Sequence, residues 1–274
     1  MPLKLLSFKD FIISEYRSGK SCQKIADENS WYQQAVDNIL KSEKLYDSYR
    51  PNQGNTRYFQ KCDSYIKAYL LGFIAADGCL QTNGANSYGL TITIKDTDIQ
   101  ILERLKLEIG SENPISLIKS PMSHDKSKNK AHCRFQLFNK ELFKDLESYG
   151  LASRKSTTMP NIIGNIPKRY RKSFIIGYLD GDGSISNKTQ RSQCMVSFRG
   201  TYDFLEGVAQ ELKLSKYWLV KDKQKNCSSL VFWRKADLIN FAKIYKNLDF
   251  FLTRKYERLS SFLKIDKDET ISPS

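Results

Sequence analysis

The strongest constraint on the fold is that one pattern of segments occurs twice along the chain. The first copy opens at YIKAYLLGFIAADG (65–78), and the second opens about 100 residues later at YRKSFIIGYLDGDG (170–183). In both copies a β-rich segment, a helical segment, two further strand-like segments and a second helical segment follow. Because matched segments keep nearly the same spacing, the pattern predicts a tandem, pseudo-twofold duplication of an α-β-β-α-β-β-α unit, in the α+β class.

The segment limits follow the alternation and the helical spacing of apolar residues. In the first copy they are 89–95, 98–110, 115–119, 133–138 and 140–150; in the second they are 195–200, 203–212, 217–221, 230–234 and 235–245. A polar stretch that holds Pro51 and Gly54 precedes the first copy and predicts a linker. The predicted domains are 1–50, a linker at 51–63, and the two repeats at 64–160 and 161–274.

The N-terminal segment predicts a small all-α domain of three short helices between residues 8 and 41. Gly19 is expected in a left-handed turn, and Ser21 is expected to cap the second helix. The arrangement resembles a helix-turn-helix with residues 31–41 as the recognition helix, and the alternative is a plain three-helix cap. Candidates for reading base edges from that helix are Gln33, Gln34 and Asn38.

The charge balance narrows the class of partner. Lys and Arg number 44 against 30 Asp and Glu, which gives a net charge of +14, and the first 55 residues contribute only +1 of it. Basic stretches lie at 119–134, 154–172 and 216–225. Such an excess favours nucleic acid first and an anionic membrane surface second. No apolar run approaches the ~18 residues of a membrane span and no secretory signal is present, so an intracellular, cytoplasmic protein is expected.

The sequence disfavours zinc sites and calcium-loop sites. The six cysteines show no C-x-x-C spacing, which argues against a disulfide framework and against a zinc ribbon. A calcium-loop interpretation of the segment that begins at Asp180 fails, because Ile185 and Arg191 occupy the positions of the required Gly and Glu. A partial zinc site lacks a fourth ligand at the usual spacing; its candidate ligands are His124, His132 and Cys133.

The two opening helices carry the chemistry. Both are apolar nearly all round, which predicts burial, and both hold small residues four apart on one face: Gly72 and Ala76, and Gly177 and Gly181. We therefore expect the two helices to pack directly against each other, parallel, with their C-terminal ends side by side. They end at Asp77-Gly78 and Asp182-Gly183, and each of these two glycines is expected in the left-handed conformation.

Asp77 and Asp182 would then lie beside each other at the negative ends of two helix dipoles, which is electrostatically unfavourable. A divalent cation would supply the missing positive charge, and carboxylate oxygens suit Mg²⁺, with Mn²⁺ as a substitute. The alternative is that each Asp-Gly pair only ends a helix in a turn.

The nine-residue segments LLGFIAADG (70–78) and IIGYLDGDG (175–183) resemble the signature helices of single-chain LAGLIDADG homing endonucleases. The likeness covers residues 65–262 and implies two basic sheets that form a saddle in the major groove of double-stranded DNA. It implies that Asp77 and Asp182, with backbone near Ala76 and Gly181, bind catalytic metals. It also implies catalytic lysines, matched by Lys155 in LASRK and Lys255 in FLTRK.

One position departs from the matched pattern: the first copy has Ala75 where the second has Asp180, and the resemblance implies a structural role there. The implied activity is a Mg²⁺-dependent, staggered double-strand break by a monomer, of the kind encoded by introns or free-standing genes of phages and bacteria. Alternatives are a non-cleaving regulator or an intron maturase and, less favoured, a membrane-surface protein.

Polar side chains on the predicted sheets are the candidates for base reading, and alternation along strands makes about half of them face DNA. The longer ones are Lys119, Arg134, Gln136, Lys188, Arg191, Arg199, Lys221 and Arg234; the others are Gln81, Asn83, Asn86, Thr91, Thr93, Ser186, Gln190, Gln193 and Ser197.

Overall fold

The computed structural model describes residues 8–18, 20, 22–43, 45, 53–83, 87–119, 131–151, 159–188, 193–222 and 227–264. The chain divides into two compact units, Met1–Asn52 and Gln53–Ser274. Among the described residues, no helix has the length and apolar character that crossing a membrane requires.

The first unit consists of three short helices, α1 (Lys9–Arg17), α2 (Cys22–Glu28) and α3 (Gln33–Ser42). Each helix buries one apolar stripe against the other two, and Ala26 of α2 is fully buried at their contact. The small side chain lets neighbouring helices approach closely. Two expected turn residues, Gly19 and Ser21, lie outside the described residues.

The second unit contains the duplicated elements. In its first half these are α4 (Tyr65–Asp77), β1 (Gly78–Asn83), β2 (Ser87–Lys95), α5 (Gln100–Ile109), β3 (Ser116–Lys119), β4 (Ala131–Phe138) and α6 (Lys140–Ser148). In its second half they are α7 (Arg171–Asp182), β5 (Gly183–Lys188), β6 (Gln193–Gly200), α8 (Tyr202–Glu211), β7 (Tyr217–Asp222), β8 (Cys227–Phe232), α9 (Lys235–Tyr245) and α10 (Thr253–Leu263). The predicted α+β duplication is confirmed, and α10 is an additional helix that was not predicted from the sequence.

The two sheets have the same antiparallel topology, β1-β2-β4-β3 and β5-β6-β8-β7. Successive residues of a strand face opposite sides of a sheet. In β2 one set, Leu90, Ile92 and Ile94, is buried in the core, whereas the alternate residues Thr91 and Thr93 lie on the other face. Each sheet therefore has a helix-covered face and a second face, called the outer face below.

The linker expected at 51–63 is wrong for residues 53–63, which belong to the second unit. Phe59 is fully buried in its core, and the neighbouring Tyr58 donates a hydrogen bond to Oε2 of Glu108 over 2.6 Å. The aromatic pair Tyr58-Phe59 explains why this segment packs against the core, because removing its apolar surface from water is favourable. The polar residues around the pair gave the segment the composition of a linker.

The expected left-handed glycines at the ends of the two central helices are also wrong. Gly78 has φ −71° and ψ 142°, and Gly183 has φ −107° and ψ 169°, so both are extended. Each helix passes directly into a strand, which needs an extended residue rather than a reversal. Glycine is required there by space, because a Cβ at Gly78 would lie 2.6 Å from the carbonyl oxygen of Ile74.

Candidate functional site

The two central helices, α4 and α7, meet at their glycines. A Cβ at Gly72 would lie 1.9 Å from the carbonyl oxygen of Phe174, and one at Gly177 would lie 1.9 Å from the carbonyl oxygen of Tyr69. Towards the C-terminal ends, a Cβ at Gly181 would lie 2.3 Å from the Cβ of Ala76. Contacts therefore follow the same order along both helices, which makes them parallel. The structure places all four small residues named above at this contact.

Parallel packing brings the terminal carboxylates of the helices to the same end of the pair. Asp77 and Asp182 are the last residues of α4 and α7. A Cβ at Gly181 would lie only 3.2 Å from Oδ2 of Asp77, so this carboxylate reaches the backbone of the opposite helix. Asp182 is exposed and Asp77 is half-buried. Carboxylate and carbonyl oxygens at this end form a set of hard donors that suits Mg²⁺.

Lys255 caps the C-terminal end of α7. Its Nζ donates hydrogen bonds to the carbonyl oxygens of Leu179 at 2.6 Å, Asp180 at 2.8 Å and Gly183 at 2.7 Å. The last carbonyls of a helix lack partners within the helix, and a cation there also opposes the dipole. Burial lowers the pKa of Lys255 to about 8, although the negative charge of Asp180 opposes this effect.

The capping contacts bear on the role implied for this lysine. An ammonium group has three N–H donors, and all three of Lys255 are committed to backbone oxygens. Direct approach of Lys255 to a scissile phosphate therefore stays a prediction. In the structure this lysine holds the backbone that carries Asp182. The matching Lys155 lies outside the described residues.

Asp180 is a buried carboxylate next to this cap. Its Oδ2 accepts hydrogen bonds from the hydroxyl of Tyr69 at 2.7 Å and from the backbone N–H of Leu252 at 2.8 Å. Burial raises the pKa of Asp180 to about 6, while the N–H of Leu252 and the charge of Lys255 act in the opposite direction. Its Oδ1 is buried and has no hydrogen-bond partner within the described part of the chain.

A cleft of about 340 Å³ opens beside these groups. Both halves contribute to its wall through Asp77, Thr93, Ile94, Lys95, Asp98, His132, Asp180, Gly181, Gly183, Ser184, Ile185, Arg254, Lys255 and Arg258. Arg254 joins the halves there, since its Nε and Nη2 donate to Oδ1 and Oδ2 of Asp98 at 2.8 and 2.6 Å. Such a bidentate pair fixes geometry as well as charge.

Four charged residues of this wall were not predicted from the sequence as site residues: Lys95, Asp98, Arg254 and Arg258. A signal for Lys95 exists, because it follows Thr91 and Thr93 at a spacing of two in the same strand. Arg254 belongs to the Arg-Lys pair that both repeats contain. Asp98 and Arg258 have no comparable signal, because only tertiary packing brings them to the cleft.

The outer face of the first sheet is polar and basic. Arg134 pairs in register with Thr93 and Gln136 with Thr91, and each longer side chain donates a hydrogen bond to the threonine beside it, at 3.3 and 3.2 Å. Lys95 and His132 continue the same face towards the cleft. Guanidinium and amide groups presented by strands are suited to the edges of bases in a major groove.

The outer face of the second sheet is less charged. Arg199 lies opposite Ser229, and Ser197 lies opposite Val231. The next strand adds Trp218 opposite Val231, and Trp218 contacts Trp233 with ring centroids 4.3 Å apart. The two outer faces therefore offer different chemistry to a ligand, and a partner that contacts both is expected to be asymmetric.

The remaining base-reading candidates are distributed unevenly. Lys221 pairs with Ser228, which is buried, so the register places Lys221 on the face opposite to Arg199. Arg234 follows the end of β8 and donates to Oγ of Ser215 at 3.2 Å. For Lys119 and Lys188, at strand ends, the structure describes only the backbone. Outside the described residues lie Asn86, Gln190 and Arg191.

The partial zinc site is not assembled by the described residues. His132 and Cys133 are neighbours in β4 and face opposite sides of the sheet. Cys133 is fully buried on the helix side, whereas His132 lines the cleft. His124 lies outside the described residues. All six cysteines are free thiols.

In the first unit, the three candidate base readers are exposed on α3. Nε2 of Gln34 donates to Oδ1 of Asn38 at 3.2 Å, one helical turn away, and Gln33 is exposed beside them. Tyr32 precedes the helix with 83% of its surface exposed. The helix-turn-helix interpretation stays a prediction.

Comparison with known proteins bears on the fold of the chain. No family model and no curated protein matches the sequence. Among solved structures, the chain is similar to the meganuclease I-SmaMI bound to uncleavable DNA, with a TM-score of 0.50 and 14% identity over 72% of this chain and 88% of that one. It is also similar to the homing endonuclease I-WcaI bound to its DNA recognition sequence, with a TM-score of 0.53 and 15% identity over 81% of this chain and 92% of that one. At these identities the likeness establishes the fold.

Proposed function

Because the chain has the fold of the LAGLIDADG homing endonucleases, we propose that it is a site-specific DNA endonuclease that hydrolyses phosphodiester bonds. The observation that carries the proposal is the parallel packing of α4 and α7, which brings Asp77 and Asp182 to one end of the helix pair. Two carboxylates at adjoining helix C-termini repel each other and the negative ends of the helix dipoles, and a bound divalent cation would relieve that repulsion.

We propose Mg²⁺ as the cofactor, with Mn²⁺ as a substitute, held by Asp77, Asp182 and backbone oxygens near Ala76 and Gly181. Proteins commonly hold Mg²⁺ through one or two carboxylates, with water and substrate phosphate as further ligands. Within the described ranges no group of three or more His, Cys, Asp or Glu is placed to hold a metal, so this mode fits the donors present. When bound, such an ion offsets phosphate charge and lowers the pKa of a water molecule.

The outer faces of the two sheets are the proposed DNA-binding surface. Their groups include Arg134 and Gln136 on one sheet and Arg199 on the other, and the chain carries a net charge of +14. Double-stranded DNA fits these features, because phosphate charge attracts the whole protein while base edges contact the strand side chains. One chain supplies both halves, so we expect it to act as a monomer and to cut each strand once.

The proposal is tested by selecting cleaved sequences from a random duplex library with the full chain, in parallel reactions with Mg²⁺ and with EDTA. We expect one long, asymmetric target to be enriched and cut on both strands in Mg²⁺ only. Enrichment by binding without any cut would instead support a non-cleaving regulator. Absence of both binding and cutting would contradict the proposal.

Arg134 provides a test of base reading on the first sheet. Arg134→Ala is expected to weaken binding to the selected target by about 1–3 kcal/mol and to relax the preference at one base position. The matched control is Arg169→Ala, which removes the same charge from an exposed arginine just before α7, at the end opposite to Asp182. Equal losses of affinity for all sequences in both variants would assign Arg134 to phosphate contact only.

A further inference from the structure

A buried polar contact joins the two central helices on one side of the pseudo-twofold axis. The hydroxyl of Tyr69 in α4 donates to Oδ2 of Asp180 in α7 at 2.7 Å. Tyr69 is fully buried and Asp180 is 2% exposed. A buried carboxylate is costly unless hydrogen bonds compensate it, so this pair is a specific feature of the helix contact.

The equivalent contact on the other side of the axis is apolar. Gly72 and Gly177 are equivalent residues across the axis, because each packs against a backbone carbonyl of the opposite helix: Gly72 against that of Phe174 and Gly177 against that of Tyr69. The sequence spacing that relates Gly72 to Gly177 also makes Phe174 the equivalent of Tyr69 and Asp180 the equivalent of Ala75. Phe174 lacks the hydroxyl of Tyr69, and Ala75 lacks the carboxylate of Asp180. The Tyr69–Asp180 hydrogen bond therefore has no equivalent across the axis.

Asp180 also contacts the beginning of α10. Oδ2 of Asp180 accepts the backbone N–H of Leu252, the residue that precedes α10, at 2.8 Å. One turn further, Lys255 of α10 donates to the carbonyl oxygens of Asp180 and Gly183. The side chain and the backbone of Asp180 are thus both tied to α10, and through Lys255 to the backbone on either side of Asp182.

We propose that Tyr69 and Asp180 are positioning residues that fix α10 and Lys255 against the end of α7, and that cleavage of one DNA strand depends on them far more than cleavage of the other. This inference rests on the proposed function. Its physical basis is that Asp180 lines the cleft beside Asp77, whereas Phe174 and Ala75 have no side-chain group that could accept a backbone N–H as Asp180 accepts that of Leu252. The two cutting positions are therefore built unequally within one chain.

The test compares three variants on the selected target with each strand labelled separately. Tyr69→Phe and Asp180→Ala remove the pair singly, and together they copy the Phe174–Ala75 pair that this fold already accommodates. The control is Tyr58→Phe, which removes a buried tyrosine hydroxyl bonded to Glu108, away from the cleft. We expect one strand, the same in every test variant, to be cut about 10-fold or more slowly, as is typical for loss of a positioning partner.

The other strand is expected to change by less than about 2-fold, and Tyr58→Phe is expected to change neither. Equal slowing of both strands, or no slowing of either, would overturn the inference. A second arm of the test, hydrogen exchange of the peptide that spans Leu252 to Tyr256, does not depend on DNA cleavage. Faster exchange there in the double variant than in Tyr58→Phe is expected, because the N–H of Leu252 loses its acceptor.

The two arms separate this inference from the proposed function. If the wild-type chain cuts neither strand, the proposed function fails, and the exchange arm still decides whether the pair positions α10. Unchanged exchange at this peptide would overturn that positioning role.

Discussion

Replacing either Asp77 or Asp182 by Asn is expected to stop double-strand cleavage of a supercoiled plasmid that carries the selected target. Asn keeps the size of the side chain but removes the negative charge that would hold a cation at the end of its helix. Metal stabilisation of a transition state contributes several kcal/mol, so the rate of the affected cut should fall by about 10²- to 10³-fold. The measurement is the rate at which supercoiled plasmid becomes nicked and then linear in Mg²⁺.

A matched control is Asp203→Asn, which removes the charge of an exposed carboxylate in the first turn of α8. It is expected to linearise the plasmid at the wild-type rate. Binding of the Asn variants to the target, measured in EDTA, is expected to persist because the sheet faces are unchanged. Full double-strand cutting by Asp77→Asn or by Asp182→Asn would contradict the assignment of these carboxylates.

Gly177→Val is expected to destabilise the whole second unit. The Cβ would lie 1.9 Å from the carbonyl oxygen of Tyr69 and 3.0 Å from the backbone nitrogen of Phe73, so α4 and α7 would have to separate. Overpacking in a core costs about 1–3 kcal/mol, and this contact is against backbone, which yields less than a side chain. We expect a loss near the top of that range and a fall in Tm of about 6–12 °C.

The control for this prediction is Gly164→Ala, because a Cβ at Gly164 meets no atom within 4 Å. Its Tm is expected to stay within about 2 °C of the wild-type value, as for most exposed substitutions. The measurement is thermal unfolding followed by circular dichroism. A wild-type Tm for Gly177→Val would show that the two helices are not in direct backbone contact.

Much of the candidate site was predictable from local patterns. Apolar residues all round two segments, small residues four apart and an Asp-Gly at each end predicted a buried helix pair, and the structure has that pair with Gly72 and Gly177 at the contact. These features are readable because helix periodicity relates residues that are close in the chain. The duplication was readable for the same reason, since each copy repeats its own local pattern.

Other features depended on contacts between distant residues. Tyr69 and Asp180 are 111 positions apart, and Lys255 meets the carbonyl oxygen of Leu179 across 76 positions. No periodicity connects such residues, so the capping role of Lys255 and the one-sided buried pair were not predicted. The polar composition of residues 53–63 predicted a linker, yet the burial of Phe59 ties that segment to the core.

The sequence by itself determined the duplicated α+β architecture, the direct packing of its two central helices and the aspartates at their ends, because these follow from spacing within single helices and strands. Tertiary structure alone decided which face of each sheet Arg134 and Lys221 occupy, what the ammonium of Lys255 binds, and that Asp180 has a partner where Ala75 needs none. The physical reason is that strand register and long-range hydrogen bonds depend on how segments far apart in the chain pack together. The spacing of neighbouring residues does not determine that packing.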